Sequence, residues 1–203
     1  MKATVGVVIG TYGDETYWAE WASSAYESAA KQTVPPDCIR WRHDSTLANA
    51  RNNAAKEIET DYLIFLDADD TLDPGYVEAM LAVDGDIRQP STLGIQNGVA
   101  DDYPVLIPET NLRRANYIVV GAMVKRSLFF EVGGFAELPC LEDWDLFLRM
   151  WLAGAKITAA PDAIYRVTVR ESSRNQDQAL HGRVYSDIIR RYQNVQRSST
   201  LEE

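Results

Sequence analysis

Three aspartates, Asp67, Asp69 and Asp70, follow directly on the apolar run that opens the segment YLIFLDADDT. An apolar run of this length reads as a buried strand, so the carboxylates stand where the chain leaves the core. In an open parallel α/β sheet, ligands bind beyond such strand ends. Asp67 and Asp69 are two apart and share a face of any extended segment. Two carboxylates about 4 Å apart repel by roughly 4 kcal/mol at an effective dielectric of 20. A proton, a basic side chain or a divalent cation has to offset that repulsion. No lysine or arginine lies within several residues of the cluster, which favours the cation. Hard carboxylate oxygens suit Mg2+ or Mn2+. In that reading Asp70 is a helix-side cap rather than a ligand; the competing reading is a solvated acidic turn in DADDTLDPG, with Asp73 capping the next helix.

The elements that must position these residues alternate. Residues 5–9 form a β-branched run closed by Gly10, which suits a buried strand. ETYWAEWASSAYESAAKQ carries apolar residues at helical spacing until PPD stops it, residues 38–42 read as a second strand, and LANARNNAAKEI reads as a second helix. The 62–66 strand follows, and a helix is expected from Pro74 through Leu81. Strand, helix, strand, helix, strand predicts a parallel sheet with right-handed crossovers. Beyond Asp84 the pattern loosens: IRQPSTLGIQNG, DYPVLIP and NYIVVGAMVKR read as short strands and loops, and RSLFFEVGG as a short helix ending in paired glycines. EDWDLFLRMWLAG is a helix with an acidic first turn and a glycine stop. AIYRVTV is a last strand, DQALHGRVYSDIIRRY a C-terminal helix, and QRSSTLEE a frayed tail. One α/β domain over 1–203 is expected, with a parallel front half at about 1–84, a mixed back half at about 85–175, and a helix and tail at 176–203.

A chain of 203 residues buries roughly 70% of its unfolded surface as one domain. A net charge of −10 argues against a nucleic-acid polymer or an anionic membrane as the main partner, while leaving room for a small anion that meets local positive charge. Cys38 and Cys140 make no disulfide framework and no zinc spacing, so a cytoplasmic setting is expected. His43 and His181 lie far apart in sequence, which speaks against a histidine-rich metal site. MKATVGVVIG reads as a first strand rather than a signal peptide, and no apolar stretch reaches about 18 residues, so no transmembrane segment is expected.

Five segments in order resemble the family 2 glycosyltransferases with the GT-A fold. VGVVIGTYGD resembles that family's first strand and nucleotide loop, and RHDST stands where an acidic segment ends its second strand. LANARNNAAKEIETDYLIFLDADD is similar to the helix and strand leading into its D-x-D, GAMVKRSLFFEVGGFAE to its acceptor-side segment, and LEDWDLFLRM to its E-D helix. The resemblance implies a mostly parallel twisted sheet flanked by helices, with a mixed back half. It also implies transfer of a sugar from a nucleotide diphosphate sugar, of UDP or GDP type, to an acceptor hydroxyl on a small glycan, a glycolipid or a protein side chain. By the same resemblance Thr11, Tyr12, Asp14 and Asp44 would bind base and ribose, and Arg51 would lie near the diphosphate or orient Asp67. Asp69 would ligate Mn2+ or Mg2+, with Asp67 reaching the ribose or the metal through water. Asp143 would be the general base of an inverting transfer, kept ionised by its helix N-terminus. Glu142 and Trp144 would shape the acceptor pocket.

Departures from the family's pattern are visible too. YRVTVRESSR has Thr168 where the family often has a histidine, so either Arg170, Ser173 or Arg174 covers the phosphates or the metal is held more loosely, and GTYGD lacks the usual Pro and Asn. Two other readings are kept. The letters Asp67-Ala-Asp69-Asp70-Thr71 also match the haloacid-dehalogenase type of phosphatase, in which Asp67 would be a nucleophile. A protein that binds a nucleotide sugar without turning it over is the second.

Overall fold

The computed structural model describes residues 2–170 and 177–198. Its front half is the expected alternation: β1 (Val5–Tyr12), α1 (Glu15–Ala30), β2 (Cys38–Asp44), α2 (Leu47–Lys56) and β3 (Tyr62–Asp67). β1 lies between β2 and β3 and is parallel to both, so the chain winds to one side of β1 and then crosses to the other. Small residues let the two helices sit close to this sheet. α1 buries Ala22, Ala25 and Ala29, and α2 buries Ala48, Ala50, Ala54 and Ala55. At Gly10 a side chain would stand 2.9 Å from Arg51 Cγ, so the glycine is what admits α2 at that point.

The back half is mixed, as expected, but two of its strands are longer than the sequence suggests. β4 (Thr71–Leu72), α3 (Tyr76–Leu81), β5 (Ile87–Gln96), β6 (Val99–Ala100), β7 (Met123–Lys125), α4 (Arg126–Glu131), α5 (Glu142–Leu152), β8 (Ile157–Val169) and α6 (Gln178–Tyr192) complete the order. The strands form one sheet in the order β2-β1-β3-β7-β5-β8-β4, with β6 on β5. The stretch expected as short strands and loops holds one ten-residue strand, β5, paired in parallel with the thirteen-residue β8. Pro90 hid it. Proline lacks the N–H a ladder needs, and the register shifts between Pro90 and Ser91 absorb the defect.

The start of α3 also differs from expectation. Asp73 does not cap it, and the helix begins at Tyr76 rather than Pro74. Buried Gln32, just past α1, accepts from Val77 N at 3.0 Å and donates to Asp73 O at 2.7 Å, so a side chain from another element supplies the cap. The Asp73 carboxylate pairs with Arg166 instead. Behind the sheet, Phe65 meets Phe129 and Phe135 at ring distances of 5.0 and 4.8 Å, fastening β3 to the segment around α4. Cys38 and Cys140 form no disulfide. Among the described residues no helix is long and apolar enough to cross a membrane. The end of the tail, 199–203, and the candidates Ser173 and Arg174 lie outside the described residues.

Candidate active site

The register of the front sheet brings the expected nucleotide-side residues to one edge. Gly10 stands beside Arg42 on one flank and Asp67 on the other, Thr11 beside His43, and Tyr12 beside Asp44. Thr11 is buried, and its hydroxyl accepts from Trp41 Nε1 at 3.0 Å and meets His43 Nδ1 at 3.1 Å. Tyr12 is half-buried on the rim. Asp14 is exposed and caps α1, accepting from Tyr17 N at 3.1 Å. Asp44 accepts from Asn53 Nδ2 at 2.9 Å and Ser45 N at 2.8 Å. The Asn53 hydrogen bond, followed by that of Ser45, pulls its pKa to about 2. It is a fixed, ionised acceptor at the end of β2.

The acidic turn past β3 is not short of positive charge. Arg51, on α2, is buried and pairs with Asp67 on one side and with Glu142 Oε1 at 3.1 Å on the other. Arg170, just past β8, pairs with Asp69. The inference that no basic side chain offsets the cluster is therefore corrected: proximity in sequence was the wrong measure, because α2 and β8 deliver both arginines through the fold. Burial works against the Arg51 charge, but Asp67 and Glu142 outweigh it and its pKa rises. For Asp69, burial and then the Asp67 charge push the pKa up, with Arg170 pulling back.

Asp70 has a different task from the helix cap expected of it. It is buried, it accepts from Thr168 N at 2.8 Å, and so it ties the turn to β8. Its pKa is pushed well up, by burial first and then by Asp67 and Asp69. Tyr165, fully buried on β8, sets the turn's shape: its hydroxyl accepts from Asp67 N at 3.1 Å and hydrogen-bonds the Asp70 carboxylate.

One carboxylate oxygen from each of Asp67, Asp69 and Asp70 lies within 4.8 Å of the others. This donor set fits a hard divalent cation. Asp67 and Asp69 keep part of their surface open, at 30% and 16% of the side chain, whereas Asp70 is committed to the protein. Five carboxylates (Asp67, Asp69, Asp70, Glu142, Asp143) face two guanidiniums, Arg51 and Arg170, so the site has acidic groups to spare.

Asp143 sits in the first turn of α5, beside the Arg51 pair. Leu141, the residue before the helix, takes φ 59° and ψ 22°, a left-handed conformation rarely used by a branched side chain. That conformation costs on the order of 1 kcal/mol or more and sets the direction in which Glu142 and Asp143 leave the turn. Glu142 turns inward to Arg51. Asp143 Oδ1 accepts from Trp144 N at 2.8 Å, and Oδ2 from Asn116 Nδ2 at 3.0 Å. The helix N-terminus does not keep its pKa at an ordinary value. Burial, then the Glu142 charge, raise it to about 6. Asp143 and Asn116 line an open groove of about 400 Å3 together with Thr92, Tyr117, Val119 and Val167. Trp144, expected in a pocket, is buried in the core: its Nε1 donates to Leu112 O at 2.7 Å and its ring stacks on Tyr185.

Residues 22–107 match the family model described as glycosyl transferase family 2. The matched span holds α2, β3 and the acidic turn, so Arg51, Asp67, Asp69 and Asp70 all fall within it. No curated protein matches this chain. Among solved structures, S. aureus TarS 1–349 in complex with UDP-GlcNAc is similar at 18% identity and a TM-score of 0.66, covering 91% of this chain and 66% of that one. The same protein in complex with UDP is similar at 19% identity and a TM-score of 0.63, covering 82% and 60%. The chain thus spans less than two thirds of the length of these structures. Its sheet is of the GT-A type. Two residues of this candidate site had no legible signal in the sequence. Asn116 sits in a segment read only as loop and strand, and Tyr165 looks like any buried aromatic of a strand.

Proposed function

We propose that this chain transfers a sugar from a nucleotide diphosphate sugar, of the UDP type, to an acceptor hydroxyl. The observation that carries the reading is the acidic turn closing β3, level with the ends of β1 and β2 and linked through Arg51 to the first turn of α5. The UDP and UDP-GlcNAc bound by the similar TarS structures support the choice of donor. The chain is read as one catalytic unit, with the donor held by 1–84 and the acceptor approaching along 85–175.

Thr11, Tyr12, Asp14 and Asp44 would receive the base and ribose at the rim of β1 and β2. Asp44 suits an N–H or ribose hydroxyl because it is ionised and immobilised by Asn53. Asp69, with Asp67 beside it, would hold a divalent ion, Mn2+ or Mg2+, which when bound supplies Lewis-acid stabilisation of the departing diphosphate. Arg51 is a positioning residue, for its side chain is 2% exposed and occupied by Asp67 and Glu142. Asp143 would take the acceptor proton. A carboxylate with a pKa of about 6 is ionised at neutral pH, yet is a stronger base than an ordinary aspartate. In-line attack assisted from that side inverts the anomeric centre. The groove beside Asp143 is open and shallow enough for a small glycan, a glycolipid head or a protein side chain.

The phosphatase reading needs a free Asp67 nucleophile, and the pairing of Asp67 with Arg51 speaks against it. A thermal-shift panel of UDP, GDP, CDP and dTDP, with and without Mn2+, tests the proposal. Stabilisation by UDP that requires Mn2+ is expected, together with transfer from a UDP-sugar that Asp143→Asn abolishes. No response to any nucleotide, or transfer unchanged in that variant, would overturn it.

A further inference from the structure

Arg170 is built into the site more deliberately than a chance surface partner of Asp69 would be. Its guanidinium pairs with Asp69 while lying over Trp18 at 5.0 Å and Trp21 at 5.9 Å, and Nη1 donates to Tyr17 Oη at 3.2 Å. Three aromatic side chains from the first turns of α1 therefore carry a cation to the carboxylate proposed as metal ligand. The pair is half-open, with 22% of the Arg170 side chain and 16% of the Asp69 side chain exposed, so one of them can be replaced without opening the core. Thr168, in the place where a histidine would otherwise stand, spends its N–H on Asp70, and Arg170 is the next basic group along β8.

We propose that Arg170 is an exchangeable counter-cation of Asp69: a divalent ion entering at Asp69 displaces its guanidinium, which remains on the Trp18 and Trp21 faces and turns to the donor diphosphate. A divalent ion at Asp69 repels a guanidinium held on the same carboxylate and weakens its hold there. The ring faces of Trp18 and Trp21 give the displaced guanidinium a place to stay. A guanidinium fork also matches two phosphate oxygens better than it matches an already metal-bound carboxylate. Arrival of the metal and arming of a phosphate-binding arginine are then one event, reported by the indole rings.

This inference rests on reading Asp69 as a metal ligand, and the experiment separates the two. Chelator-stripped protein is titrated with Mn2+ by electron paramagnetic resonance, without nucleotide, for the native chain, Arg170→Met, Arg170→Lys and Asp69→Asn. Tryptophan emission is followed separately with Mg2+. Arg170→Met should bind Mn2+ roughly three- to tenfold more tightly than the native chain, because a competing ion pair and its ring contacts are gone. Arg170→Lys should fall between, which keeps the test decisive if the methionine variant folds poorly. Mg2+ should change the emission of the native chain, but not of Arg170→Met, and less of Trp18→Phe. Once Mn2+ is bound, Arg170→Met should hold UDP more weakly than the native chain. Equal or weaker Mn2+ binding by Arg170→Met, with Asp69→Asn impaired, overturns the exchange while leaving Asp69 a ligand. Undiminished Mn2+ binding by Asp69→Asn removes the ligand reading, and the exchange with it.

Discussion

Replacing Arg51 by methionine removes the one cation that Asp67 and Glu142 share. The Arg51 side chain is 2% exposed and that of Glu142 7%, whereas Asp67 retains 30%. Most of the penalty therefore falls on Glu142, which loses a guanidinium inside the protein, while Asp67 can turn to water. Breaking a buried pair in this way costs about 3–5 kcal/mol. The guanidinium also lies 4.8 Å from the Phe135 ring centroid, a contact that methionine only partly replaces. In a chain of this size each kcal/mol moves Tm by roughly 2–4 °C, so a fall on the order of 10 °C is expected. Glu142→Gln in the same chain removes that buried charge and should restore about half of the loss. Urea unfolding of the native chain, the two single variants and the double variant yields the coupling directly. The double variant should fold and still bind UDP with Mn2+ poorly, because nothing then aims Asp67. A loss below about 1 kcal/mol in Arg51→Met, or a double variant no better than the sum of the singles, would refute the account of Arg51.

The raised pKa of Asp143 sets a pH window. If Asp143 is the base, kcat/KM rises with pH through about 6, and the rise disappears with the activity in Asp143→Asn. The same shift bears on stability with a fixed sign. The folded state holds this proton more tightly than the unfolded chain, so the contribution is complete below the ordinary carboxyl value of 3.8 and is lost as pH rises through about 6. Asp143→Asn should accordingly gain Tm over the native chain at pH 8 and little at pH 4. Asn116→Ala removes the 3.0 Å hydrogen bond that favours the ionised carboxylate, and should move the inflection of the pH–rate profile upward. Tyr165→Phe takes the acceptor from Asp67 N and a hydrogen-bond partner from Asp70, costing about 1–3 kcal/mol in urea unfolding and weakening Mn2+ binding.

What was legible in the sequence had local causes. β1, α1, β2, α2 and β3 announce themselves through β-branched runs, alanine-rich helical spacing and the PPD stop, whereas the candidates at the ends of β1 and β2 were named by the resemblance. α5 was legible from its acidic first turn and from Gly154, which ends it at φ 105°. What stayed hidden depends on partners distant in the chain. β5 was obscured by Pro90, which the long parallel pairing with β8 tolerates through a register shift. The cap of α3 comes from Gln32 rather than from adjacent Asp73. The charge balance of the acidic turn was misjudged for the same reason, since Arg51 and Arg170 arrive from α2 and from beyond β8. The pKa of Asp143 could not be read from its helix position, because burial and the neighbouring Glu142 outweigh the helix N-terminus.

The central claim is that the turn closing β3 grips a metal-bound diphosphate, and a crystal of the chain grown with Mn2+ and UDP addresses it most directly. An anomalous manganese peak against the Asp69 carboxylate, with both phosphates beside it and the uracil at the rim formed by Tyr12 and Asp44, is the predicted result. Manganese and UDP bound elsewhere, with Asp67 and Asp69 still held only by Arg51 and Arg170, would contradict it.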